Sequence, residues 1–206
     1  MTYRVFLLNN QNNPAHPHND HKSDGYTPFH FSSHHPHITY VYIPNCITSI
    51  GEYAFYRSSI ERVTIPEGVT KIEEYTFQWC EYLQHIQLPQ TLKKIGRAAL
   101  SHCAFKELVI PESVTTIDDY AFDGNEFLQQ ITIGSGVQFI GLCVLENCNN
   151  LKKVISRIPD GSKVSLVDAF YGVNEDCVLY IPRGSKNSYK STKGWSNFSK
   201  IVEMDM

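Results

Sequence analysis

One short phrase, an apolar strand closed by Ile-Pro, returns at a near-constant interval along this chain and decides what it can fold into. It reads Val41-Tyr-Ile-Pro44, Val63-Thr-Ile-Pro66, Ile86-Gln-Leu-Pro89, Leu108-Val-Ile-Pro111 and Ile131-Thr-Ile-Gly134. The starts lie 22, 23, 22 and 23 residues apart, and Val154 opens a looser sixth unit after another 23. A second apolar pair follows in register: Ile47 and Ile50, Val69 and Ile72, Leu92 and Ile95, Val114 and Ile117, Val137 and Ile140. A third element completes the unit as Tyr53-Ala54-Phe55, Tyr75-Thr76-Phe77, Ala98-Ala99-Leu100, Tyr120-Ala121-Phe122 and Cys143-Val144-Leu145. Self-similarity at this period is the mark of a solenoid.

A strand as short as Val63–Pro66 cannot hide its apolar side chains alone. Stacked beside the next copy, about 4.8 Å away, it pairs its backbone and builds a continuous inner column of Ile and Val. The proline after each strand removes a donor, so the ladder stops and the chain turns. An outer column of Phe55, Phe77, Leu100, Phe122 and Leu145 is expected to close the far side of the core.

Residues Val63–Phe77 and Leu108–Phe122 carry the pattern most fully: strand, Ile-Pro, then Val-Thr-x-Ile-x-x-Tyr-Ala-Phe, then Cys and a Leu before the next strand. This resembles the BspA-like class of leucine-rich repeats over roughly residues 40–177. The resemblance implies an α/β-type solenoid, a right-handed leucine-rich-repeat stack with short parallel strands on its concave face. It also implies a non-enzymatic binding or adhesion module at the cell surface or secreted, recognising a protein or glycan and engaged in host interaction. On this reading residues 1–39 are a His-rich non-repeat segment or N-terminal cap, residues 40–177 hold about six repeats, and residues 178–206 form a C-terminal cap. In that cap, Ser185–Thr192 is expected to form a short helix ended by Gly194, with Tyr189, Trp195 and Phe198 over the last coil.

Because units stack, equal offsets become neighbours. Cys80, Cys103 and Cys148 fall in one slot with Ser58 and Asn125, which reads as a packing column of small groups accepting backbone hydrogen bonds. A metal site or a Cys80–Cys103 disulfide is the sharper alternative. Glu52, Glu74, Arg97, Asp119 and Leu142 share another slot. There an exposed ladder with Arg97 relieving carboxylate repulsion is favoured over a pair of acid–base carboxylates. The N-terminal histidines His16, His18, His21, His34, His35 and His37 are spaced so that they can hold Zn²⁺, Ni²⁺ or Cu²⁺. No helix fixes their geometry, so metal capture stands as an alternative function beside a structural spacer in a larger surface assembly.

The bulk numbers exclude several classes. A net charge of −3 gives no basic footprint for nucleic acid. No apolar run is long enough to span a bilayer, so no membrane insertion is expected. Val5–Leu8 is too short for a signal-peptide core, so the chain as given reads as having no export leader. Phosphate loops, nucleophile elbows and zincin motifs are lacking, so no enzyme and no cofactor is expected. Partner contact is expected instead on the outward strand positions: Tyr40, Tyr42, Arg62, Thr64, His85, Gln87, Glu107, Val109, Gln130, Thr132, Lys153 and Ile155.

Overall fold

The computed structural model describes residues 40–205. Its strands are β1 (Tyr40–Tyr42), β2 (Arg62–Thr64), β3 (Lys71–Ile72), β4 (His85–Gln87), β5 (Lys94–Ile95), β6 (Glu107–Val109), β7 (Thr116–Ile117), β8 (Gln130–Ile133), β9 (Phe139–Ile140), β10 (Lys153–Ser156), β11 (Ser165–Leu166), β12 (Val178–Pro182) and β13 (Lys200–Met204). All pair in parallel, and except between β4 and β6 each pairs with its copy one unit on: Val41 faces Val63, Val63 faces Ile86, Leu108 faces Ile131, and Ile131 faces Val154. The repeat interval is therefore the pairing register, and the chain is a parallel-strand solenoid.

Three features depart from the sequence expectation. First, the α/β label does not hold. The one α-helix among the described residues, α1 (Lys186–Ser191), is six residues long and lies outside the repeats. Second, the middle apolar pairs from the second coil onward form a ladder of their own, β11-β9-β7-β5-β3, so the second to sixth coils each carry two short strands. Third, the principal ladder is split into β1-β2-β4 and β13-β12-β10-β8-β6. The split falls where a six-residue return, Cys80 to Ile86, is followed by a five-residue one, Cys103 to Leu108. The strand of the fourth coil arrives one residue early and loses its pairing with β4. Ile86, beside the split, is half-buried, whereas Val41, Val63, Leu108, Ile131 and Val154 are buried.

The return side needs no helix because its backbone pairs in another way. The amides of Tyr53, Phe55 and Arg57 donate to the carbonyls of Glu74, Thr76 and Gln78 in the next coil, while those of Ala54, Tyr56 and Ser58 close turns within their own. This alternation requires left-handed backbone twice per coil. Tyr53, Tyr75, Ala98, Tyr120 and Cys143 occupy one such slot, and Arg57, Trp79, His102, Gly124 and Asn147 the other, all at positive φ. Each non-glycine residue there carries a penalty of about 1–2 kcal/mol, offset by an inter-coil hydrogen bond and by ring stacking. The Tyr53 and Tyr75 rings stack at 4.8 Å, and Trp79 lies on His102 at 3.7 Å.

One apolar core runs from Val41 to Phe198. The outer column closes it as expected: Phe77 and Leu100 are fully buried, and the Phe55 and Phe77 rings lie parallel at 5.0 Å. Beyond the repeats, β12, α1 and β13 cover the last coil. Tyr189 and Trp195 are fully buried there, the Tyr189 hydroxyl donating to the Ile158 carbonyl at 2.8 Å and the Trp195 indole to Gly161 at 3.2 Å. Gly161 has to be glycine, since a Cβ would meet the Tyr189 ring at 2.8 Å.

Candidate binding surface

Two rows of outward side chains stand on the strand ladder. In β1, β2 and β4 the register aligns Tyr40, Arg62 and His85 in one row and Tyr42, Thr64 and Gln87 in the other. Beyond the split the rows continue as Glu107, Gln130, Lys153 and as Val109, Thr132, Ile155. Tyr42 is 47% exposed and Val109 58% exposed. Arg62, His85, Gln87 and Glu107 are exposed, whereas Thr64, Gln130, Lys153 and Ile155 are half-buried. Thr132 departs from the expected outward set. It is only 5% exposed, because its short side chain stands between Val109 and Ile155 in register. Lys153 is drawn along the sheet, its Nζ 4.7 Å from the centre of the Tyr180 ring.

The split adds relief that the alternation pattern does not foretell. A groove of about 420 Å³ opens between the third and fourth strand positions, lined by Gln84, His85, Lys106 and Glu107. Gln84 and Lys106 precede their strands and so fall outside a strict in–out reading. The signal that marks them is the unequal length of the two returns.

The other candidate chemistries take structural forms. Cys80, Cys103 and Cys148 donate their thiols to the carbonyls of Phe55, Phe77 and Phe122 at 3.0–3.3 Å. The slot therefore donates to the preceding coil as well as accepting: backbone hydrogen bonds from Ser58 and Asn125 reach the Cys80 and Cys148 thiols, and Asn125 gives to Leu100 while taking from the Cys103 amide. Burial pushes the Cys80, Cys148 and Cys177 thiols up to about 12. No disulfide joins the cysteines, all of which are described. In the charged slot Arg97 does not bridge the carboxylates. Its guanidinium lies 5.6 Å from the Tyr120 ring centre, and Asp119 caps the Leu142 amide at 2.8 Å. Among the described residues no group of three metal-ligating side chains converges, and no helix is long and apolar enough to cross a membrane. His16, His18, His21, His34, His35 and His37 lie outside the described residues.

Fold and surface together define a parallel-strand repeat solenoid whose outward positions vary while its inward ones repeat. The chain belongs to the family described as the BspA type leucine-rich repeat region, whose profile matches residues 48–175 in six copies. A search of curated proteins returns no match. Among solved structures, the chain is similar to the pneumococcal vaccine antigen PcpA, with 22% identity and a TM-score of 0.68 over 84% of this chain and 44% of that one. A leucine-rich repeat protein from Bacteroides ovatus follows with 24% identity and a TM-score of 0.56, over 81% of this chain and 61% of that one. The leucine-rich repeat protein of T. pallidum has 23% identity and a TM-score of 0.51, over 75% and 84%. The chain thus spans less than two thirds of the first two, and at these identities the likeness is one of fold.

Proposed function

We propose that this chain is a binding module that engages a protein or glycan partner through the outward side chains of its strand face. One observation carries the reading. At the strand centres the inward slot repeats one chemistry (Val41, Val63, Ile86, Leu108, Ile131, Val154), while the row before it changes at every coil: Tyr40, Arg62, His85, Glu107, Gln130, Lys153. A sheet that only had to stay soluble needs no such variety. Rows of unlike polar and aromatic groups, held rigidly by register, suit recognition, and Tyr and Arg are the residue types that dominate interface energies. Binding rather than catalysis is the role, with the cell surface or the secreted fraction as the place and a host molecule as the partner. In this reading the strand face is the concave side of the stack.

The test is a screen of extracellular-matrix proteins and a glycan array, followed by the double variant Tyr42→Ala with Arg62→Ala against whatever binds. Both side chains are exposed, so the melting temperature should hold while affinity falls by about 2–4 kcal/mol. Unchanged affinity of the double variant for that ligand would refute the strand face as the site.

A further inference from the structure

The uneven returns open a second recess, on the return side of the coils. The second and fourth coils run Cys80-Glu81-Tyr82-Leu83 and Asn125-Glu126-Phe127-Leu128, whereas the third runs Cys103-Ala104-Phe105. Leu83, Phe105 and Leu128 are all fully buried and fill one core slot. The residue missing from the third coil is therefore the one that is Tyr82 or Phe127 on either side. Only the Ala104 methyl stands in that coil. Tyr82 and Phe127 are 45% and 57% exposed and are separated by two coil spacings, about 10 Å. Between them lies a recess of about 330 Å³ that also takes in Glu81, Glu126, Trp79 and His102. Its back wall is stiff. Trp79 and His102 stack within 2° of parallel, and the imidazole lies against Gly124, where any Cβ would run into the ring.

The chemistry of these walls is one-sided. The aromatic faces attract cations, and the carboxylates of Glu81 and Glu126 offer charge-assisted acceptors. Neither carboxylate is in an ion pair among the described residues. His102 already has the Asp123 carboxylate 3.6 Å from its Nε2. A slot bounded by two rings and rimmed by two acids suits a flat, weakly hydrated cation better than a compact, strongly hydrated one. We propose that this recess receives the guanidinium side chain of an arginine on a protein partner. The group enters beside Phe127, stacks on its ring and pairs with Glu81 and Glu126. The site is separate from the strand face, and Tyr42 and Arg62 take no part in it.

The experiment titrates N-acetyl-arginine-methylamide into the ¹⁵N-labelled chain and follows the Trp79 indole N–H and the Gly124 amide. The citrulline analogue, equal in shape but uncharged, serves as control, and the Trp195 indole in the buried cap as internal reference. Saturating shifts at Trp79 and Gly124 with the arginine probe are expected in the millimolar range, with no response at Trp195 and none to citrulline. Glu81→Gln with Glu126→Gln should weaken the probe about tenfold, and Phe127→Ala should do likewise. All three side chains are exposed, so the folded spectrum should persist elsewhere. Equal shifts with citrulline, as a sugar-like or merely apolar recess would give, overturn the proposal. So does the absence of shifts at Trp79 and Gly124, or undiminished binding by the double glutamine variant.

Discussion

Phe77→Ala tests the stack at its most informative point. Phe77 is fully buried, its ring lies flat against Phe55 at 5.0 Å, and its carbonyl accepts the Cys103 thiol at 3.3 Å. Truncation removes the transfer free energy of a whole ring and leaves a cavity that two hydrogen-bonded coils cannot collapse around, a loss of about 3–5 kcal/mol. Within that figure the ring–ring contact accounts for about 0.5–1.5 kcal/mol. Against a domain stability of about 5–15 kcal/mol, about a fifth or more disappears. With m near 2 kcal/mol/M, the urea midpoint should fall by about 2 M. Phe77→Leu is the control. Leu100 and Leu145 already occupy this column in other coils, so leucine should lose under about 1.5 kcal/mol. Urea unfolding followed by far-UV circular dichroism measures both. A loss below about 1 kcal/mol for alanine, or equal losses for the two variants, would show that the outer column does not close the core. A fall in m would show instead that the first coils unfold apart from the cap, as one-dimensional stacks can.

Two further outcomes follow from buried and half-exposed groups. Cys46 alone among the six cysteines is exposed, and burial holds Cys143 up to about 11 and Cys80, Cys148 and Cys177 up to about 12. Native protein should therefore release one equivalent in a rapid thiol titration at neutral pH, and the remainder only on unfolding; a second fast equivalent would contradict the packed column. For Glu112, burial pulls the carboxyl upward, but hydrogen bonds from Ser135 and the Arg157 guanidinium outweigh it and hold the group below its ordinary value. A depressed folded value means stability that is fully present above the unfolded carboxylate range and is lost as pH falls through the folded one. Glu112→Gln should thus cost under about 1 kcal/mol at neutral pH, given the exposure of the pair, and nothing once the carboxyl is protonated. A difference that persists in acid would assign the effect to packing.

Much of the fold was legible because one physical rule generates it. A three-residue strand must be covered, its copy covers it, and the interval between copies fixes the register, so Val63 and Ile86 could be placed together from their numbers alone. The second ladder through Ile72, Ile95, Ile117 and Ile140 was harder to see. A two-residue strand has no in–out alternation to read, and only the repeated Ile hinted at it. Left-handed backbone at Tyr75, Trp79 and His102 was not legible either, since these residue types avoid that region when alone. It becomes tolerable only when the neighbouring coil takes the amide and the ring. Thr132 shows the limit of the alternation rule: direction was right, but exposure also depends on the size of the side chains in the flanking coils.

Return length is the variable that connects fold and function here. The core constrains what enters it, so Ile60, Leu83, Phe105, Leu128 and Leu151 keep their slot whatever the path that brings them there. The number of residues between one slot and the next is less constrained, because the return lies at the surface and loop length alters stability only slowly. The return after Cys103, one residue shorter than those after Cys80 and Asn125, leaves the core filled and yet has two consequences. It leaves β4 and β6 unpaired, opening the groove beside His85 and Glu107, and it leaves only Ala104 in the space between Tyr82 and Phe127. Both consequences flank the third coil because both follow from its short return. In a stack where stability is assembled coil by coil, a shorter return of this kind creates recessed surface without dismantling the column that supports it, and the recesses inherit the rigidity of the coils on either side.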